Sequence, residues 1–265
     1  MYLGRSGIAL DVQEITARLN SHASVLSLQL LEQTASTNSD LMACIKQENR
    51  PIFRLAIAQT AGRGRAGRTW HAHPGGMLCF SLAWQFHGGL SQLQGLPLAV
   101  GVAIAECLTS LDVPVQLKWP NDVLKQNKKI AGILLESTPA LEGTWAIIGV
   151  GLNLIVPEEL EQRIGQEVAD SPWLAQMNPN HLIAHLLNHL CTVLNAFEQA
   201  GFAQFVDRWN QLHAFAGQTV QVMEQANVLL KGLAVGVDEQ GQLVVQTETG
   251  LQKVVAGDVS LRMSV

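Results

Sequence analysis

Apolar residues recur at Val12, Ile15 and Leu19, the three-and-four spacing of a helix over residues 11–20, and VLSLQLLEQ just after them alternates as a half-buried strand does. A second helix is predicted within STNSDLMACIKQ, where Ser36, Thr37 and Asn38 offer side-chain oxygens to its first amides. Apolar runs at 55–58 and, more strongly, at 77–86 predict strands, and between them residues 59–70 read as a loop punctuated by glycine and arginine. Residues 90–111 are apolar on almost every side, as a buried helix is. VQLKWPNDVL, KIAGILLES and WAIIGVGLNLIVP predict three strands, the last two an antiparallel hairpin turning at 141–143.

Helices are predicted again at 157–170 and 180–213, the second opening at Asn178-Pro179-Asn180 and broken at Gly201. From Gly217 the period changes, and QTVQVM, LLKGLAVGVD, GQLVVQT and QKVVAG are short β runs joined by glycine-bearing turns such as Glu239-Gln240-Gly241. The expected fold is α+β: a mixed sheet with helices on one side over residues 1–216, then a small SH3-like β-barrel domain over 217–265.

A chain of 265 residues, 48% hydrophobic and 15% charged, can bury a large core without staples, which excludes collagen-like, disordered and disulfide-scaffold classes. The formal charge of −5 means that a polyanion must be met by a local basic patch. Cys44, Cys79, Cys107 and Cys191 stand far apart with no CxxC pair, as buried thiols in a reducing compartment do. The first residues lack the apolar core of a signal peptide and no 18 apolar residues run together, so a soluble, cytoplasmic protein with no membrane contact is expected.

Three clusters carry chemistry. The first, Gln59-Thr60-Ala61-Gly62-Arg63-Gly64-Arg65-Ala66-Gly67-Arg68-Thr69-Trp70, combines glycines that let backbone amides approach an anion with guanidinium groups that grip carboxylate or phosphate. It is neither a P-loop nor a dinucleotide fingerprint; an exposed basic loop or a nucleic-acid contact would also show this composition. The second is Lys118-Trp119-Pro120-Asn121-Asp122 followed by Lys129 at the entry to KIAGIL. A lysine entering a buried strand must meet an anion or a carboxylate, whereas Asn121 and Asp122 read equally as turn formers. The third is Gly149-Val150-Gly151-Leu152-Asn153, a strand interrupted by glycines, which suits either a ligand lying against the backbone or a β-bulge.

Taken in order, Ser36-Thr37-Asn38, GRGRAGRTW, KWPND, KIAGIL and GVGLN resemble the biotin protein ligase family, densely over residues 31–157, and the tail from Gly257 to Arg262 resembles that family's C-terminal β domain. The resemblance implies a catalytic domain related to class II aminoacyl-tRNA synthetases. It also implies an enzyme that joins biotin to ATP, with Mg2+, as biotinyl-5′-AMP and passes the biotin to a lysine of the biotin carboxyl carrier protein of acetyl-CoA carboxylase. Carried over residue by residue, it has Ser36, Thr37 and Gln59, with backbone near Gly62 and Arg63, hold biotin's ureido ring, and it counts Asn38 and Gly64 among the cofactor-binding residues. The apolar part of biotin lies on Gly132, Gly149 and Gly151; Trp70 covers the adenylate; Asn153, with Asn121 nearby, meets adenine. Lys129, aided by Arg65, Arg63 and Arg68, supplies the positive charge for phosphoryl attack, and Asp122 orients the incoming amine or takes its proton.

Bifunctional members of the family carry a winged helix-turn-helix ahead of the STN segment, and Ser36 lies too near the start to leave room for one, so DNA binding is not expected. A monomer or a homodimer fits equally. A lipoate ligase of the same fold is the competing enzyme, although a polar ring-binding set is wasted on an apolar dithiolane. His181, His185 and His189 share one helix face, but HExxH is absent and Leu186, Leu187 and Leu190 mark the segment as packing, so no metal site is assigned.

Overall fold

The structure is a computed structural model and describes residues 1–164, 167–224, 227–257 and 259–263. Its centre is a seven-stranded mixed sheet in the order β1-β2-β3-β7-β6-β5-β4. The strands are β1 Ser27–Thr34, β2 Ile52–Gln59, β3 Met77–Phe86, β4 Gln116–Lys118, β5 Asp122–Lys125, β6 Lys128–Pro139 and β7 Thr144–Asn153. Only β1 and β2 run parallel, and every other neighbouring pair is antiparallel.

Strand alternation divides the sheet's faces. Leu78, Phe80, Leu82 and Trp84 of β3 and Ala146, Ile148, Val150 and Leu152 of β7 point into the main core, beneath the helices α3 (Leu96–Ser110) and α6 (Pro179–Ala200). The opposite face carries Cys79, Ser81 and Ala83 beside Gly151, Gly149 and Ile147. There the helices are not confined to one side, as the sequence suggests. The short α2 (Thr37–Cys44) places Leu41, with Ile45 just beyond it, on Ile52, Ala83, Trp145 and Ile147. Eight residues of helix cover only one end of this face, and the uncovered remainder is where the cavity described below lies.

Several predicted boundaries shift for local reasons. The first helix, α1, is only Val12–Thr16, capped by Asp11 Oδ1 at 2.7 and 3.1 Å from the amides of Gln13 and Glu14. VQLKWPNDVL is two strands rather than one, because the chain turns at Trp119-Pro120-Asn121 and pairs Lys118 with Asp122. The predicted 90–111 helix is a 3₁₀ turn, Leu90–Leu93, then α3 after Gly95. Gly95 has φ 77°, and an added Cβ would meet the Phe202 side chain at 2.5 Å. The 157–170 prediction yields α4, Glu158–Ile164, with residues 165–166 outside the described part; α5, Pro172–Gln176, follows. The long C-terminal helix ends at Gly201, φ 63°, and resumes as α7, Val206–Gln211. Leu90–Ser110 is long and apolar enough to cross a membrane, but most of it is buried inside the protein.

The last strands form a second, all-antiparallel sheet in the order β11-β10-β9-β8-β12: β8 Thr219–Glu224, β9 Asn227–Val237, β10 Leu243–Thr247, β11 Gly250–Val254 and β12 Val259–Met263. The domain is SH3-like, yet its sheet is not a closed barrel: among the described residues β11 pairs only with β10 and β12 only with β8. The final strand was not among the predicted runs. Val220, Val222, Leu243 and Leu261 of this sheet join the main core, and Trp119 Nε1–H donates to Gly241 O at 3.1 Å across the seam.

Candidate active site

A cavity of about 370 Å³ opens on the face that α2 leaves bare. Every site residue expected from the sequence lines it except Gly62. Gly62 is buried in the wall, where its carbonyl accepts from Trp70 N–H at 2.9 Å and an added Cβ would lie 2.6 Å from Trp70 O.

One end of the cavity is polar and neutral. The start of α2 is set by Ser36, its N-cap, so Ser36, Thr37 and Asn38 project where helix meets sheet, each only 3% exposed. Thr37 N–H donates to Gln59 Oε1 at 2.8 Å, Thr37 Oγ1 lies 2.6 Å from Ser81 Oγ, Ser81 donates to Asn38 Oδ1 at 2.5 Å, and Asn38 Nδ2 donates to Glu136 Oε2 at 2.9 Å. Because the Ser81 hydrogen is given to Asn38, the Thr37 hydroxyl hydrogen is shared between Ser81 Oγ and Gln59 Oε1, which lies 3.2 Å away, with the shorter contact to Ser81. The chain of donors therefore runs one way, from Thr37 to the Glu136 carboxylate, where Arg63 Nη2 also arrives at 2.5 Å. Ser81 and Glu136 were not foreseen. The available signals were a lone hydroxyl in MLCFSLAWQF and a lone carboxylate in KKIAGILLESTP.

The other end is cationic. Between β5 and β6 the register slips by one residue at Val123/Leu124, and this bulge decides where Lys129 points. Ile130 and Ala131 are consecutive yet both sit in the main core, so the parity of the strand changes there and Lys129 falls on the cavity face with Gly132. Lys129 Nζ lies 2.6 Å from Asp122 Oδ1 and 5.5 Å from the Trp70 ring centroid. The carboxylate partner that a strand lysine requires is thus Asp122. Arg65 donates to Asn121 Oδ1 at 3.0 Å and to Gly257 O of the second sheet, while Asn121 Nδ2 donates to Ile133 O at 2.7 Å. Lys118 and Arg262, also unforeseen as site residues, line the same end. Burial pushes the Lys118 amine down, Asp122 pulls it up, and Lys129, Arg262 and Arg68 push it down further, the electrostatic signature of a site crowded with cations.

Of the two readings of the glycine strands, the register excludes the bulge. β7 pairs with β3 and β6 in unbroken register, so GVGLN is not a bulge. The bare backbone of β7 and of its neighbour β6 accommodates protein side chains: a Cβ on Gly151 would lie 2.3 Å from the Trp70 ring, one on Gly149 2.4 Å from Asn38 Oδ1, and one on Gly132 of β6 2.9 Å from Lys129 Nζ. Trp70 is therefore seated flat on the sheet, its Nε1 buried without a partner. Asn153, which lines the cavity, donates through Nδ2 to Ala169 O at 2.9 Å, and its Oδ1 is buried and unpaired. The Gly/Arg segment itself is a compact turn, with Gly64 N–H donating to Arg68 O at 2.7 Å and Ala66 at φ 52°.

Residues 30–153 match the Biotin/lipoate A/B protein ligase family and residues 215–262 match the Biotin protein ligase C terminal domain. The chain is 31% identical over 261 residues to the bifunctional ligase/repressor BirA of Escherichia coli, covering 96% of this chain and 78% of that one. It is 32% identical over 240 residues to the biotin–[acetyl-CoA-carboxylase] ligase of Mycobacterium tuberculosis, covering 88% of each. The structure of biotin protein ligase from Aquifex aeolicus in complex with biotin and ATP superposes with a TM-score of 0.74 at 28% identity, over 90% of this chain and 99% of that one. With a neutral polar pocket beside a cationic one, and with relatives matched along nearly their whole catalytic length, the chain belongs to the biotin protein ligase family.

Proposed function

We propose that this chain is the ligase that activates biotin with ATP and passes it to the carrier proteins of biotin-dependent carboxylases, its natural acceptor being the carrier protein of acetyl-CoA carboxylase. The observation that carries this is the pairing, in one cavity, of a neutral donor chain from Thr37 to Glu136 with a cluster of cations around Lys129. An uncharged cyclic urea suits the first and a triphosphate the second.

In the first step a biotin carboxylate oxygen attacks the α-phosphorus, forming the C–O–P link of biotinyl-5′-AMP as pyrophosphate leaves. Both reactants are anionic, so fixed positive charge must lower their repulsion and stabilise the transition state. Lys129 is positioned for that role, with Arg65, Arg63 and Arg68 contributing from the loop. Phosphate oxygens would draw Lys129 from Asp122, which frees that carboxylate to orient the incoming lysine amine or take its proton as the amine attacks the acyl carbon and AMP departs. Trp70, already seated over Gly151, is the wall against which the adenylate lies, and Asn153 Oδ1 is the acceptor for adenine's amino group. Ser36, Thr37, Asn38 and Gln59, with the backbone of Gly64, hold the ureido ring, while Asn121 anchors Arg65. Gly132 and Gly149 belong to the sheet floor.

Magnesium fits as a passenger of the triphosphate. The carboxylates that line the cavity, Asp122 and Glu167, are paired with Lys129 at 2.6 Å and Lys128 at 3.2 Å, so phosphate oxygens and water would make up most of its shell. When bound it would neutralise phosphate charge.

The proposed division is a catalytic domain of residues 1–216 and a C-terminal domain of 217–265, supported by the change from helices to short strands between α7 and β8. A cytoplasmic monomer or homodimer without a DNA partner is the accompanying expectation, supported by the net charge of −5. The lipoate reading is weaker, since a dithiolane leaves the Thr37–Glu136 chain without a ligand. Mass spectrometry of the purified chain with biotin, ATP and a carrier fragment is expected to show a retained adenylate and a carrier heavier by one biotinyl group. A carrier that gains lipoyl but not biotinyl mass would overturn the assignment.

A further inference from the structure

The three histidines of one face of α6 part company in the fold. His181 Nε2 lies 3.1 Å from Glu14 Oε1 of α1, whereas His185 and His189 turn toward α3 with ring centroids 4.9 Å apart. Cys107 of α3 completes a triangle with them: one donor atom from each of Cys107, His185 and His189 lies within 4.8 Å of the other two. The cysteine is fully buried and the two rings are half-buried, so sulfur closes the inner side while the imidazoles form the rim.

Ser110 fixes the orientation of one ring. Its hydroxyl donates to Cys107 O at 2.7 Å, so its oxygen accepts from His185 Nε2–H at 2.8 Å, and the lone pair of that imidazole resides on Nδ1. A metal bound by His185 through Nδ1 would leave this Ser110 hydrogen bond in place, as the outer-shell bonds of metal-binding histidines are. The neighbouring carboxylate, Glu106, is committed through both oxygens to Arg208, at 2.8 and 2.5 Å.

We propose that Cys107, His185 and His189 form a binding site for a divalent transition metal of the zinc class, clamping α3 to α6 on the side of the sheet away from the cavity. One sulfur and two imidazole nitrogens select zinc or cobalt over magnesium or calcium. With metal–nitrogen bonds of ~2.0–2.1 Å and a metal–sulfur bond of ~2.3 Å, tetrahedral donors stand roughly 3.3–3.6 Å apart. Side-chain rotations that close the triangle by about an ångström reach that spacing, as half-buried histidines four residues apart on one helix allow. Water completes the shell on the open side. Binding replaces the Cys107 S–H bond with a sulfur–metal bond, the proton passes to solvent, and no oxidation state changes.

The test is a Co2+ titration of the tag-free, chelator-stripped full chain, followed by displacement with Zn2+. One equivalent of cobalt is expected to produce a thiolate-to-cobalt band in the near ultraviolet and the strong visible bands of four-coordinate cobalt, both erased by zinc. Cys107→Ser is expected to abolish the thiolate band, and His181→Gln to leave it unchanged. The double variant His185→Gln/His189→Gln, at half-exposed positions where folding is tolerant, is expected to bind zinc at least tenfold more weakly. No thiolate band in the unaltered chain, its survival in Cys107→Ser, or undiminished zinc affinity in the double variant would each overturn the site.

Discussion

Lys129 shows how much one backbone irregularity can decide. Without the slip between β5 and β6, regular alternation would turn its ammonium into the apolar layer beneath α3, where desolvation would force it to neutralise or unfold the strand. With the slip it reaches Asp122 and the cavity. Lys129→Ala is therefore expected to lower biotin-dependent ATP–pyrophosphate exchange by about 10²-fold or more, the usual cost of removing one transition-state donor. Thermal unfolding should change little, because both partners of the ion pair remain partly exposed. Near-normal exchange in that variant would remove Lys129 from the chemistry. At this scale the sequence was legible wherever a residue type was unusual for its setting: the arginines among glycines, the strand lysine, the paired strand glycines. Ser81 and Glu136 stayed hidden because their meaning depends on which neighbours α2 and the loop bring to them, Lys118 stood in a recognised cluster without a role of its own, and nothing in the local pattern of Arg262 distinguishes it from a solvated surface charge.

Elements with a strong period were readable to within a few residues. Met77–Phe86, the β6–β7 hairpin and the Ser36 cap of α2 stand where alternation and capping chemistry put them. The misses have a common physical origin in tertiary context. The β4–β5 turn breaks what reads as one apolar run, α2 crosses to the opposite face because Leu41 and Ile45 find Ala83 and Ile147 there, and β12 is too short to show a period of its own. The Gly/Arg segment is the element on which catalysis turns, since a mixed anhydride must be shielded from water. Among the described residues its ties to the rest of the protein include Arg63 to Glu136, Arg65 to Asn121 and Gly257, and Ala61 N–H to Ala35 O at 2.9 Å, beside its internal turn. Amide hydrogen exchange across 61–69 is expected to slow when biotin and ATP are added, and Glu136→Gln, which weakens the Arg63 tether, should speed exchange in the free chain while leaving the β6 core protected. Equal protection with and without ligands would show that the segment is already a rigid lip.

Across the whole molecule, the segment that joins the two sheets carries a buried histidine. His213 is 4% exposed, packs at a tilt against Trp209 at 4.8 Å between centroids, and has neither ring nitrogen paired, so burial pushes its pKa down to about 4. The unfolded chain takes up that proton near pH 6.5 and the folded chain only near 4, so stability falls as pH drops through this window and levels off below it. Urea unfolding is expected to lose about 2 kcal/mol from this group between pH ~7.5 and ~5, and His213→Phe should remove that part of the slope. An identical slope in the variant would mean that the ring is hydrated or paired in solution.

The reach of Arg65 to the Gly257 carbonyl, with β12 forming part of the cavity's wall, ties the tail of the chain to the chemistry. Hybrid enzymes built by exchanging tails between relatives would inherit a pocket stitched from two ancestries, its guanidinium seeking a carbonyl that the foreign tail presents elsewhere. Natural divergence in that terminal module is thereby coupled to divergence in the Gly/Arg segment, and substitutions in either should be rescued by matched changes in the other.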